Sequence, residues 1–303
     1  MVGGWGFMDI RVLEYYLIVA REESITKAAA ILHVTQPTLS RQLMQLEEEL
    51  QGKLFNRTSH SVVLTEDGLL FKRRAQEIVA LSEKTKRDFI RGNRELSGEI
   101  GIGCGEFRSI QIIAQIMKEF KKEHPFVTFQ IYSGNSSNIK ERIESGILDI
   151  GVILDYVDIR KYEYVRIPLS EEWGVLVRED SPLAAMEYVT PEDIRELPLI
   201  ISERSMRDNE LADWIGKKYE DLNIVSTYNL MYNAAIMVAN GMGVAGCIKL
   251  DCRYEGTRFV PARPSVKNNS VFAWKKALSQ SQAVSSFIEF SRIYIKRISS
   301  NTT

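Results

Sequence analysis

Residues 28–68 read AAAILHVTQPTLSRQLMQLEEELQGKLFNRTSHSVVLTEDG, and this stretch decides the architecture. Thr35 stands before Gln36-Pro37, an N-cap followed by a proline in the first turn, where the missing N–H costs no helical bond. Leu39, Leu43, Leu46 and Leu50 recur at intervals of three and four, so a helix with one apolar face runs to about Leu50 and ends at Gly52. Upstream, Ser24 caps a shorter helix over 25–32, whose Ala28-Ala29-Ala30 run admits a close helix neighbour. His33-Val34 makes the turn between the two. Two short helices on a tight turn, the second capped and proline-started, form a helix-turn-helix that places its second helix in a DNA major groove. The polar face of that helix carries Thr35, Gln36, Pro37, Thr38, Ser40, Arg41, Gln42 and Gln45. Glutamine pairs with adenine and arginine with guanine, so Arg41 is the expected base contact.

Working outward, residues 9–22 have helical spacing, with Ile10, Leu13, Leu17 and Ala20 expected on the buried face. Leu54-Phe55 and Val62-Val63-Leu64 flank a polar loop and read as a two-stranded wing, with Arg57 and Thr58 placed to meet phosphates or the minor groove. Thr65 caps a long helix whose first turn holds Glu66 and Asp67 at the positive dipole end. Phe71, Arg74, Ile78, Leu81, Thr85 and Phe89 form a stripe suited to a partner helix.

Many residues at fixed spacing make this segment similar to the DNA-binding region of LysR-type transcriptional regulators. Ala28-Ala29, Thr35-Gln36-Pro37, Ser40-Arg41, Leu46-Glu47, Leu54-Phe55 with Arg57, and Leu64-Thr65 with Gly68 carry the resemblance. Gly146-Ile147-Leu148-Asp149-Ile150 resembles the family's G-x-L-D motif, and Val238–Gly243 its V-A-x-G-x-G. Where the family usually has Leu-Pro, this chain has Ile248-Lys249-Leu250-Asp251-Cys252, which puts the nearby cleft edge in question. The resemblance implies a winged helix-turn-helix (residues 1–65), a dimerising linker helix (66–94) and an α/β effector domain like periplasmic solute-binding proteins (95–303). It further implies an effector bound between two halves, about 95–165 with 269–303 and about 166–268, and a homodimer or homotetramer on double-stranded operator DNA.

The residues after Gly98 support that organisation independently. Strand, helix, strand, helix, strand over 99–154 reads as a parallel sheet with right-handed crossovers, and a similar set follows from Trp173 to Ile248. Two α/β halves place ligands where strand ends meet helix N-termini. The stretches concerned are Gly105–Ser109, Ser133–Ser136, Ser202–Arg204 and Tyr228–Tyr232 with Gly246; within them Gly105, Glu106, Phe107, Arg108, Ser133, Ser202, Arg204, Tyr228 and Gly246 are the candidate contacts. Backbone amides and arginines (Arg108, Arg204, Arg207) make a small organic anion the expected effector.

Composition narrows the alternatives. The 303 residues are 45% hydrophobic and 26% charged, ordinary for a two-domain globular chain. Residues 9–94 carry 14 Lys and Arg against 12 Asp and Glu, leaving 25 against 28 in the rest, so DNA binding rests on the placement of charge rather than its total. No apolar run is long enough to span a membrane, and Met1–Phe7 lacks the features of a signal peptide, so the expectation is a cytoplasmic protein. Met8 offers an alternative start. Cys104, Cys247 and Cys252 are too few and scattered for a disulfide framework or metal site, and read as reduced thiols. No cofactor is expected. No G-x-S-x-G, H-E-x-x-H, P-loop or dinucleotide fingerprint appears, so enzyme activity ranks below DNA binding. A solute-binding protein without regulatory function would account for the second part but not for residues 9–94.

Overall fold

Asp9 opens the first helix, α1 (Ile10–Glu22), by accepting a hydrogen bond from the Val12 N–H at 2.9 Å. In the computed structural model, residues 8–57, 62–89, 96–154, 160–202, 210–276 and 280–300 are described. They form two units, Met1–Arg91 and Gly92–Thr303. In the first, α1 is followed by α2 (Ile25–Ile31), α3 (Gln36–Glu49), the wing strands β1 (Phe55–Arg57) and β2 (Val62–Leu64), and α4 (Glu66–Phe89). Ser24 caps α2 as expected, accepting from Lys27 N–H. His33 takes the left-handed conformation (φ 53°) that turns the chain from α2 to α3. Thr65 caps α4 through its hydroxyl, which accepts from Gly68 N–H at 2.9 Å.

Several local expectations need correction. The buried face of α1 is Val12, Leu13, Tyr16, Val19 and Ala20, rotated from the expected one, and Ile10 is exposed. Tyr16 turns inward because its hydroxyl has a partner there. Thr35 occupies the N-cap of α3 without capping it through its side chain; its hydroxyl pairs with that of Thr38 at 2.8 Å. Leu39, Leu43 and Leu46 are fully buried, but Leu50 is exposed, because α3 ends at Glu49 and Gln51 (φ 52°) rather than Gly52 supplies the left-handed turn.

The core of this unit gathers Leu13, Tyr16, Ala28, Leu39, Leu43, Leu46, Leu54, Phe55 and Ala75. Tyr16 lies at its centre, its ring 5.0 Å from Phe55 and 4.9 Å from Phe71, its hydroxyl donating to Gly68 O at 2.6 Å. Burial, with the Glu47 charge adding to it, raises the phenol well above its ordinary range, so it stays a neutral donor. That bond ties α1 to the start of α4. Tyr16→Phe removes this bond between the helices and is expected to cost about 0.5–1.5 kcal/mol, read as a lower urea midpoint at unchanged slope for the first unit. Gly68 cannot be replaced, since a Cβ there would lie 2.2 Å from Leu54 O.

The second unit is built on a nine-stranded sheet. Its strands are β3 (Ser97–Cys104), β4 (Phe126–Ser133), β5 (Ile150–Leu154), β6 (Tyr162–Arg178), β7 (Leu199–Ser202), β8 (Ile224–Tyr228), β9 (Val244–Ile248), β10 (Thr257–Pro261) and β11 (Lys267–Lys275). The order is β4-β3-β5-β11-β6-β9-β7-β8, with β10 also on β6. The sheet is mixed rather than parallel throughout. β3 pairs in parallel with β4 and β5, and β7 with β8 and β9, whereas β11 runs antiparallel to both β5 and β6. Helices α5 (Ile110–Glu123), α6 (Ser136–Glu144), α7 (Pro191–Ile194), α8 (Glu210–Ile215), α9 (Met231–Ala239) and α10 (Gln282–Ser300) cover it. Every residue of β5 is buried, as a central strand covered on both faces requires.

β6 is far longer than the expected Trp173–Val177. Its first part pairs with β11 and its last residues, from Trp173 on, with β9 and β10, so one strand passes from one half of the sheet to the other. The two glycine motifs hold this frame together. Asp149 accepts from Gly101 N–H at 2.8 Å, tying the start of β5 to β3. Gly243 permits the close approach of Pro198 O, which would lie 2.3 Å from a Cβ. Among the described residues no helix is long and apolar enough to cross a membrane, and no group of His, Cys, Asp and Glu could hold a metal.

Candidate functional site

Helix α3 turns its leucines into the core and its other face to solvent. Thr35, Gln36, Pro37, Thr38 and Arg41 are exposed, and Ser40, Gln42 and Gln45 are half-buried. The expected DNA-facing residues of α3 therefore share one accessible surface. Between Gln36 and Gln45 the helix holds one charge, Arg41, while Glu47, Glu48 and Glu49 collect in its last turn. Positive dipole and guanidinium thus favour phosphate at the N-terminal half, and the carboxylates repel it from the other end.

Glu47 is the residue sequence reasoning left as a motif position without a role. It is 4% exposed, and its Oε1 accepts from Leu54 N–H at 2.8 Å and Phe55 N–H at 3.1 Å. Lys53 approaches its other oxygen at 3.9 Å. A carboxylate on α3 thereby holds the first strand of the wing. β1 and β2 pair Phe55 with Leu64 and Arg57 with Val62. The backbone of Arg57 is in β1; its side chain, and Thr58, lie outside the described residues.

On α4, Phe71 turns inward to Tyr16 instead of joining the outer stripe. Leu70 takes its place at 59% exposure, in line with Arg74, Ile78 (40%), Leu81 (42%) and Thr85. Three exposed large aliphatics at helical spacing are costly to leave in water and fit a partner helix.

In the second unit a cavity of about 110 Å³ lies where the ends of β3, β4, β7 and β8 meet β6, β9 and β11. Of the expected contacts, Gly105, Glu106, Phe107, Ser202, Tyr228 and Gly246 line it. Tyr228 donates its hydroxyl to Gly246 O at 2.7 Å, which fixes the ring as part of the wall. Asn135, Ser136, Asn229 and Met231, within the stretches singled out, line it too. Trp173, Ile248, Leu250 and Asn268 were not foreseen; they reach it only because β6, β9 and β11 converge there.

Two expected contacts are elsewhere. Ser133, the last residue of β4, stops short of the cavity that its neighbours Gly134–Ser136 line. Arg108 pairs with Asp251 at 2.8 Å, in the segment where the chain departs from the family pattern, and Gln111 joins the same carboxylate at 2.7 Å. Arg204 and Arg207 lie outside the described residues. The helix N-termini are also occupied. Glu171, 1% exposed, accepts from Arg108 and Ser109 N–H at 3.2 and 3.0 Å ahead of α5, and Glu106 accepts from Met231 N–H at 2.6 Å at the start of α9. The amides ahead of α5 and α9, and Arg108, are thus engaged with the chain's own carboxylates. Cys104 is buried and donates to Gly105 O; desolvation first, then the Glu171 charge, pushes its thiol up to about 12, so it is a packing residue and no thiolate at neutral pH.

Comparison with known proteins identifies both units. Residues 10–69 match the pattern described as bacterial regulatory helix-turn-helix protein, lysR family, and residues 93–294 that of the LysR substrate binding domain. The HTH-type transcriptional regulator BsdA of Bacillus subtilis (strain 168) is 35% identical over 219 residues, 72% of this chain and 74% of that protein. The uncharacterized HTH-type transcriptional regulator YybE of the same organism is 29% identical over 244 residues, 78% of this chain and 82% of its own length. Full-length CbnR, solved with its target DNA, superimposes with a TM-score of 0.71 at 20% identity, covering 95% of this chain and 100% of that one, a likeness of fold. With a helix-turn-helix at one end and a substrate-binding domain over most of the remainder, the chain belongs to the LysR family of DNA-binding transcriptional regulators.

Proposed function

We propose that the protein acts in the cytoplasm as a homodimer or homotetramer. Each α3 enters a major groove of an inverted-repeat operator, and a small molecule in the cleft of the second unit alters how the recognition helices are spaced. Residues 1–65 would form the DNA-binding domain, 66–94 the pairing helix and 95–303 the effector domain, its halves (about 95–165 with 269–303, and about 166–268) meeting where β6 and β11 cross. The observation that carries this reading is the division of α3 into a buried leucine face and an exposed face bearing Gln36, Thr38 and Arg41. The exposed aliphatics of α4 support self-association. The complex of full-length CbnR, a protein of the same fold, with its target DNA supports a duplex as partner.

The test is retention of genomic fragments by the full chain followed by footprinting. Two protected half-sites about 34–36 Å apart, or a multiple of it, are expected, with affinity falling steeply as salt rises. Retention without sequence preference, or none at low salt, would exclude the reading.

A further inference from the structure

We propose that the effector cleft selects an organic cation, a molecule carrying an amine or guanidine, and that Glu106 is the residue that selects it. This rests on the effector reading above and gives it a ligand class. Glu106 is the only charged residue among the described residues lining the cavity. The cations near it in sequence point elsewhere. Arg108 is held by Asp251, and Lys249, between the lining Ile248 and Leu250, pairs with Glu172 at 3.1 Å. A carboxylate ligand would therefore be desolvated beside a like charge with no compensating cation among the described lining residues, an unfavourable combination in a partly enclosed site.

A cation meets the opposite conditions. Met231 N–H uses one of about four acceptor positions of the Glu106 carboxylate, leaving the others for a donor. Trp173, Phe107 and Tyr228 bring ring surfaces to the same cavity, and an ammonium or guanidinium is attracted to such faces. The lining amides of Asn229 and Asn268 can accept from the remaining N–H groups. Leu230 at the N-cap of α9 has no side chain to cap that helix, so Glu106 both caps α9 and presents its charge to the cavity.

The experiment is calorimetric titration of the full chain with two matched sets: benzylamine, benzyl alcohol and benzoate, and putrescine, butanediol and succinate. In at least one set the amine is expected to bind about tenfold or more tightly than its neutral and anionic counterparts. Glu106→Gln keeps an acceptor for Met231 N–H and removes the charge; it should abolish that preference while the free protein still melts cooperatively, at most a few degrees lower. Asn229→Trp, at an exposed wall position, should block every probe that binds in the cleft. Absence of amine binding, or an amine preference that survives in Glu106→Gln, overturns the proposal. Tighter binding of a carboxylate, lost in Asn229→Trp, overturns the charge assignment while the effector cleft stands. Binding indifferent to Asn229→Trp overturns the cleft itself.

Discussion

Arg41→Ala weakens operator binding by about 1–3 kcal/mol, roughly 5- to 150-fold, if the guanidinium reads a base edge from the exposed face of α3. The alanine keeps helix propensity and removes nothing from the core, because Arg41 is exposed while Leu39 and Leu43 on either side are fully buried. The loss should therefore come from the complex and not from the fold. Titration at several salt concentrations separates two kinds of contact. A base contact relaxes the preference at one base pair and leaves the salt slope nearly unchanged. A phosphate contact weakens all sequences alike and reduces the slope by about 1. Unchanged affinity and unchanged preference at the footprinted operator would remove α3 from the interface.

Glu47→Ala destabilises the first unit by about 2–4 kcal/mol. Leu54 N–H and Phe55 N–H both give their hydrogen bonds to this one carboxylate, and Leu54 and Phe55 are buried, so the alanine leaves two donors without partners and a void where the side chain sat. Glu47→Gln restores one acceptor without the charge and should fall between the two. The direct readout is amide exchange at Leu54 and Phe55, which should accelerate in the alanine variant by far more than at Leu39 or Leu43. Exchange at those two amides no faster than in the parent would mean that the carboxylate does not hold the wing. DNA affinity should fall with the wing released, through loss of position, since Arg41 remains and the charge removed is a negative one.

The two variants probe residues that differ in how far they could be read from the chain alone. Arg41 stands on a helix whose start, stop and buried face follow from contacts within four or five residues. Glu47 was visible as part of a Leu-Glu pair, but its role depends on a strand that starts eight residues on. The cavity of the second unit was less legible still. Of the loop residues singled out after strands, Glu106, Ser202 and Tyr228 are among those that line it. Arg108, expected to give it a positive character, does not line it: its partner lies 143 residues away, and the carboxylate that caps α9 comes from 125 residues upstream.

The caps of α2 and α4, the α2–α3 turn, the wing and the α/β alternation were determined by the sequence itself, because propensity, capping and periodicity act between near neighbours. Only the tertiary structure decided that the sheet is mixed, that β6 spans both halves, that Tyr16 faces inward, and that carboxylates occupy the amides expected to await an anion. Those outcomes depend on which distant segments share a strand edge or a burial site, and a charge or hydroxyl takes its partner from that long-range packing.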